Sequence, residues 1–143
     1  MIVKIPVLEV REPTEHAVSM PKHIARIANG MIGCAQELVI VMTTDTQLRV
    51  IGTNLCHMGG LDQCTVDPRV LFRHAIADGA TGLAVVHNHP SGNLKPSTED
   101  TELACKLKHG AKLLNLTLVD FLITTDLAGG GIDWLSFKTE GLI

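Results

Sequence analysis

The segment HNHPSGNLKPSTED, residues 87–100, gathers side chains of the kinds that hold metal ions. His87 and His89 are two residues apart, and on an extended strand such positions point to the same face. They lie about 6.6 Å apart along the chain. Two imidazoles so placed can lean onto one ion at the usual zinc–nitrogen distance of about 2.0–2.1 Å. Asn88, between them, points to the other face. Pro90 lacks an N–H and fixes φ, so a strand must stop after His89, and PSG then turns the chain. Ser97 is a good N-cap, which puts Asp100 at the third helical position, near the positive end of the helix. Asp100 is therefore a candidate third ligand. Two histidines and a carboxylate leave a fourth position for water, the plan of a catalytic zinc site. Zinc lowers the pKa of such a water towards ~7, so hydroxide is available at neutral pH.

A plainer reading of the same residues stays open. Ser97 with Asp100 is a helix cap in its own right, and surface histidines often hold nothing. The conjunction of all these features, after an apolar strand and before a capped helix, favours the metal. A hydrolase also needs a base, and a carboxylate in apolar surroundings acquires the raised pKa that suits one. Glu37, which opens the apolar run ELVIVM, is that candidate. Glu99 and Glu102 flank Asp100 but are expected on the solvent side of the helix. Asp120 interrupts LTLVDFLITT and is expected to be buried, with hydrogen-bond partners.

The elements that would position these groups can be read along the chain. IVKIPVLEV, near the start, reads as an edge strand, with Pro6 keeping it at the margin. Pro21 opens a helix over about 20–32, ended by Gly33. Two β-branched runs around TDTQ read as a hairpin. Asp67-Pro68 starts a second helix, and GLAVVHNH is a strand that runs into the histidines. A third helix follows from Thr98 to Leu114, with Leu103, Ala104, Leu107, Ala111 and Leu114 as its buried stripe. LTLVDFLITT is a strand buried on both faces, and a short closing strand lies in the tail. This order describes a mixed α/β sheet flanked by helices.

The chain has 143 residues, 45% of them hydrophobic, which suits one globular domain. Its net charge of −3, and its aromatic content of three Phe, one Trp and no Tyr, argue against direct nucleic-acid binding. No apolar run is long enough for a membrane span, and the N-terminus lacks the plan of a signal peptide. A cytoplasmic protein is expected. The four cysteines, Cys34, Cys56, Cys64 and Cys105, form no C-x-x-C pair and read as buried reduced thiols. The spacing in CHMGGLDQC, from Cys56 to Cys64, is that of no common structural zinc site. Oligomeric state is not legible here.

His87-x-His89, seven residues, Ser97, two residues, Asp100, with Glu37 upstream, resembles the JAMM (MPN+) metalloprotease motif throughout. More narrowly, VDPRVLFRHAI, VVHNHPSGNLKPSTEDT, LVDFLITT and SFKTEGLI resemble, in order, the C-terminal domain of RadC-family proteins. The resemblance covers roughly residues 20–143 and implies a RadC-like MPN domain at 19–143 after an N-terminal extension of 1–18. It implies an MPN (JAB/JAMM) fold, a curved mixed β-sheet flanked by α-helices. It implies zinc held by His87, His89 and Asp100. Glu37 would then act as general base and later as acid, and Ser97 as a donor to the tetrahedral oxyanion. The reaction implied is hydrolysis of a peptide or isopeptide bond in a peptide or protein substrate. The alternative is a RadC-like protein of DNA repair or mobile elements acting on or near nucleic acid, as a metal-dependent hydrolase or a binding module. Two departures stand out. Such proteins usually carry an N-terminal helix-hairpin-helix domain, for which this chain has no room. Many relatives have His after the aspartate of the late strand, where this chain has Phe121 after Asp120.

Overall fold

The computed structural model describes residues 17–59 and 66–143. The edge strand expected at IVKIPVLEV, residues 2–10, lies outside them, as does Cys64. Among the described residues there are three α-helices and five strands. They run α1 (Pro21–Ile27), β1 (Leu38–Thr44), β2 (Val50–Met58), α2 (Pro68–Ala77), β3 (Gly82–Asn88), α3 (Thr98–Leu113), β4 (Thr117–Asp126) and β5 (Ile132–Ser136). The strands form one sheet in the order β2-β1-β3-β4-β5. β3 and β4 are parallel, joined by α3, and every other neighbouring pair is antiparallel.

The period of two along the central strands sorts side chains into two cores. Val39 and Val41, Leu83 and Val85, and Phe121 and Ile123 face α2 and α3, meeting Leu71, Phe72, Leu103 and Leu107. Ile40 and Met42, Ala84 and Val86, and Leu122 face the other way, against Ile24 and Ala25 of α1 and Ala28 just after it. Both faces of β1, β3 and β4 are therefore covered, and this explains why their sequences are nearly unbroken apolar runs rather than alternating ones.

Helix starts follow the local chemistry. The Asp67 carboxylate accepts the Arg69 N–H at 2.9 Å, with Pro68 next to it in the first turn. Ser97 and Asp100 make a full capping box at the start of α3. The helix expected over 20–32 is shorter: α geometry stops at Ile27, and Ala28–Met31 tighten into a 3-10 turn. Asn29 and Gly30 are poor helix formers, and Gly33 at φ +77° completes the exit. Leu114, expected in the buried stripe of α3, lies just past the helix end and is exposed.

Asp120 is buried, and its carboxylate accepts the Phe121 N–H, the Ser136 hydroxyl at 2.6 Å and the Lys138 N–H at 3.1 Å. It ties β4 to the chain leaving β5, a structural role. Phe121 is fully buried with its ring 4.8 Å from that of Phe137, so it belongs to the core. The expectation of buried thiols fails at Cys105, which sits on the outer side of α3, one position past the Leu103–Ala104 stripe. Cys34 and Cys56 are half-buried and free. Burial pushes the Cys56 thiol up to about 12.

Candidate metal centre

His87 continues the series Leu83, Val85 on β3, so its ring projects on the α2–α3 side of the sheet. His89 lies one residue beyond the strand end, yet its backbone stays tied to β4. Its N–H donates to the Thr124 carbonyl at 2.7 Å, and its own carbonyl accepts the Thr125 hydroxyl at 2.9 Å. The turn after it places Gly92 at φ +84°, a conformation costly for any other residue. The chain then returns to Ser97, and α3 brings Asp100 back over the histidines.

The three groups converge. One ligand atom from each of His87, His89 and Asp100 lies within 4.8 Å of the other two. His87 Nδ1 is 2.6 Å from Asp100 Oδ1, and His89 Nε2 is 3.2 Å from Asp100 Oδ2. The two imidazoles stand edge to face with centroids 4.7 Å apart. His89 Nδ1 lies 2.8 Å from the Asn93 carbonyl, an acceptor that places the N–H on Nδ1 and leaves Nε2 free to bind. Asp100, 3% exposed, is held by the Ser97 N–H and the Ser97 hydroxyl, both donating to Oδ2 at 2.8 Å. The Ser97 oxygen accepts the Asp100 N–H in return, at 3.0 Å.

Burial works to raise the Asp100 carboxyl, but hydrogen bonds with His87 and His89 and from the Ser97 N–H outweigh it. The carboxyl is held well below the usual carboxylate range. The hydrogen bond with Asp100 raises His89 against the opposing effect of burial. Both shifts describe a spot that favours positive charge. A buried, ionised carboxylate with two imidazoles crowded onto it is a donor set that a divalent cation fits, and these three residues could hold one.

Glu37 follows the series Val41, Val39 on β1 and so opens onto the same face. Its carboxylate is 3.5 Å from His87 Nε2. The apolar enclosure expected around it is not found among the described residues: its side chain is 60% exposed. It precedes the first residue of β1, beyond the sheet's cover, at the mouth of the site rather than within the core. Ser97 stands beside Asp100 with its hydroxyl proton directed at that carboxylate. Glu99 and Glu102 face solvent, as expected.

Sequence reasoning gave Asn88 no role beyond pointing away from the histidines. It is buried, its carboxamide oxygen accepts the Leu38 N–H, and its amide nitrogen donates to the Gln36 carbonyl at 3.1 Å. No local pattern signals a hydrogen bond across 50 residues of chain.

A mixed sheet sandwiched by helices, with a His-His-Asp cluster at the junction of β3 and α3, defines the chain as a JAB/MPN-type domain with a candidate metal site. It belongs to the family of RadC-like JAB domains, which it matches over residues 18–142. Similar proteins include UPF0758 proteins from Cyanothece sp., 40% identical over 78% of this chain and 47% of the relative, and from Thermotoga maritima, 40% identical over 78% and 48%. Another, from Clostridium perfringens, is 34% identical over 82% and 52%. The chain thus spans about half the length of the relatives it matches. No helix among the described residues is long and apolar enough to cross a membrane.

Proposed function

We propose that this chain is a zinc-dependent hydrolase that cleaves a peptide or isopeptide bond. The observation that carries the reading is the convergence of His87, His89 and Asp100 within 4.8 Å, with the Glu37 carboxylate 3.5 Å from His87. Zinc bound there would supply an activated water and polarise the scissile carbonyl. His87, His89 and Asp100 would hold the ion. Asn93 fixes the tautomer of His89, and Ser97 fixes the rotamer of Asp100. Glu37, exposed and beside His87, would take the proton from the attacking water at its carboxylate and deliver it to the leaving amine. Ser97 can serve an oxyanion only if its hydroxyl proton turns from Asp100 to the substrate.

The net charge of −3 speaks against the nucleic-acid alternative, since phosphate neutralisation supplies most of the affinity of such proteins. The test is elemental analysis of the purified protein, followed by a peptide-library cleavage screen with a chelator control. One zinc per chain is expected, lost in His89→Ala and Asp100→Ala. Glu37→Gln should keep the zinc and lose turnover. One-to-one zinc retained in both ligand variants sinks the ligand set, and full activity in Glu37→Gln sinks the base.

A further inference from the structure

We propose that Asn88 is the positioning residue that aims Glu37 at the metal face, an inference that rests on the hydrolase reading for its functional meaning. The antiparallel ladder between β1 and β3 has Val39 opposite His87 as its last pair at this end. Glu37 lies two residues further out, where β3 has ended and Pro90 offers no donor. Its backbone therefore has no β3 partner of the ordinary kind. The Asn88 side chain takes that place. Its oxygen accepts the Leu38 N–H, and its nitrogen donates to the Gln36 carbonyl at 3.1 Å. Bonding to the groups on either side of one residue is the pattern a parallel strand makes with its neighbour. Here the residue between them is Glu37. On its other side, the Glu37 carbonyl accepts the Gly59 N–H at 2.8 Å. The main chain of Glu37 is fixed from both directions while its side chain stays free to reach the site.

The requirement is for a carboxamide. Only a side chain with a donor and an acceptor on one short, flat group satisfies both bonds; aspartate lacks the donor and alanine lacks both. Asn88 is 6% exposed, so water does not readily replace what is lost. Its position adds a consequence. Asn88 lies between His87 and His89, so the same three residues present two ligands on one face and the clamp for the base on the other. The spacing between the base and the two histidines is thus set through Asn88 itself, by two hydrogen bonds to the chain on either side of Glu37.

The test compares wild type with Asn88→Ala and Asn88→Asp, using metal-free protein for NMR and zinc-loaded protein for kinetics. Metal-free wild type should show a cross-peak between the Glu37 side-chain protons and the His87 ring, and another between the His87 and His89 rings. In Asn88→Ala the first should vanish and the second persist, a separation that a general loss of stability would not produce. Asn88→Asp keeps the acceptor and loses the donor, so it should weaken the first cross-peak; it also decides the question should the alanine variant fail to fold. On a peptide found by the library screen, Asn88→Ala should lower kcat by up to about 100-fold, the scale for a misplaced group, with KM and zinc content unchanged. An unaltered Glu37–His87 cross-peak in a folded variant overturns the proposal. Zinc absent from wild type would end the hydrolase reading separately, and the cross-peaks would still decide what Asn88 does.

Discussion

Two residues separate the roles that hydrogen bonding and reactivity can play. Ser97 has one hydroxyl proton, and in this structure it goes to Asp100 Oδ2. If the residue only anchors the ligand, Ser97→Ala should lower zinc affinity by about 10–100-fold, as partners of metal ligands typically do, and leave kcat at saturating zinc intact. If the proton turns to an oxyanion, kcat at saturating zinc should fall by 10²–10³, about 2.7–4 kcal/mol. Zinc titration followed by turnover measured at saturation distinguishes the two. Cys56 offers the opposite case, a group whose surroundings make it inert. With its thiol near 12, on the order of one molecule in ten thousand is thiolate at pH 8. Alkylation read site by site by mass spectrometry should modify exposed Cys105 well before Cys56. Rapid labelling of Cys56 would mean that its burial is not maintained. At this scale the His-x-His pair, Ser97 and Asp100 were legible because their chemistry is local: strand period and helix cap place them. Asn88 was not, because its partners Gln36 and Leu38 are brought to it only by the pairing of β1 with β3.

The elements owe their positions to packing that the sequence signals unevenly. Caps and prolines marked the starts of α2 and α3 within a residue, and apolar runs marked β1, β3 and β4. The end of α1 was less legible, since the passage from α to 3-10 geometry turns on weak propensities at Asn29 and Gly30. The exposure of Glu37 was likewise missed, because an apolar run says nothing about whether its first residue falls inside or outside the sheet's cover. One helix position carries a prediction. Gly110 of α3 lies so close to α2 that an added Cβ would come 2.7 Å from the Phe72 ring edge. Helix propensity alone would make Gly110→Ala stabilising by about 1 kcal/mol. Phe72 is buried in the core, so its ring or α2 must move to give relief, at a cost of about 1–3 kcal/mol. The cost should win, and Gly110→Ala should unfold at lower denaturant than wild type. A higher midpoint would show that the contact between the two helices yields easily.

For the molecule as a whole, the resemblance to RadC-family proteins implied a mixed sheet flanked by helices but the order of strands was not legible, because pairings such as β3 with β4 span the whole of α3. The topology has a thermodynamic corollary. The candidate ligands flank the loop between β3 and α3, two at the strand terminus and one in the first turn of the helix. An ion bound by all three would link the sheet to the helix that covers it, and the unfolded chain has no such preformed site. Binding to the native state alone stabilises by about 2.7 kcal/mol when free zinc is a hundredfold above its Kd. For a chain of this size that raises Tm by on the order of 10 °C. Calorimetry of metal-stripped protein, with and without added zinc, should show such a rise, and a chelator should reverse it. In Asp100→Ala the zinc-dependent part of the shift should disappear whatever the variant's own Tm, which separates loss of the ion from loss of the buried carboxylate. A wild-type Tm indifferent to zinc would mean that strand end and helix start meet for packing alone, with Ser97 and Asp100 acting as a helix cap and the histidines as its neighbours.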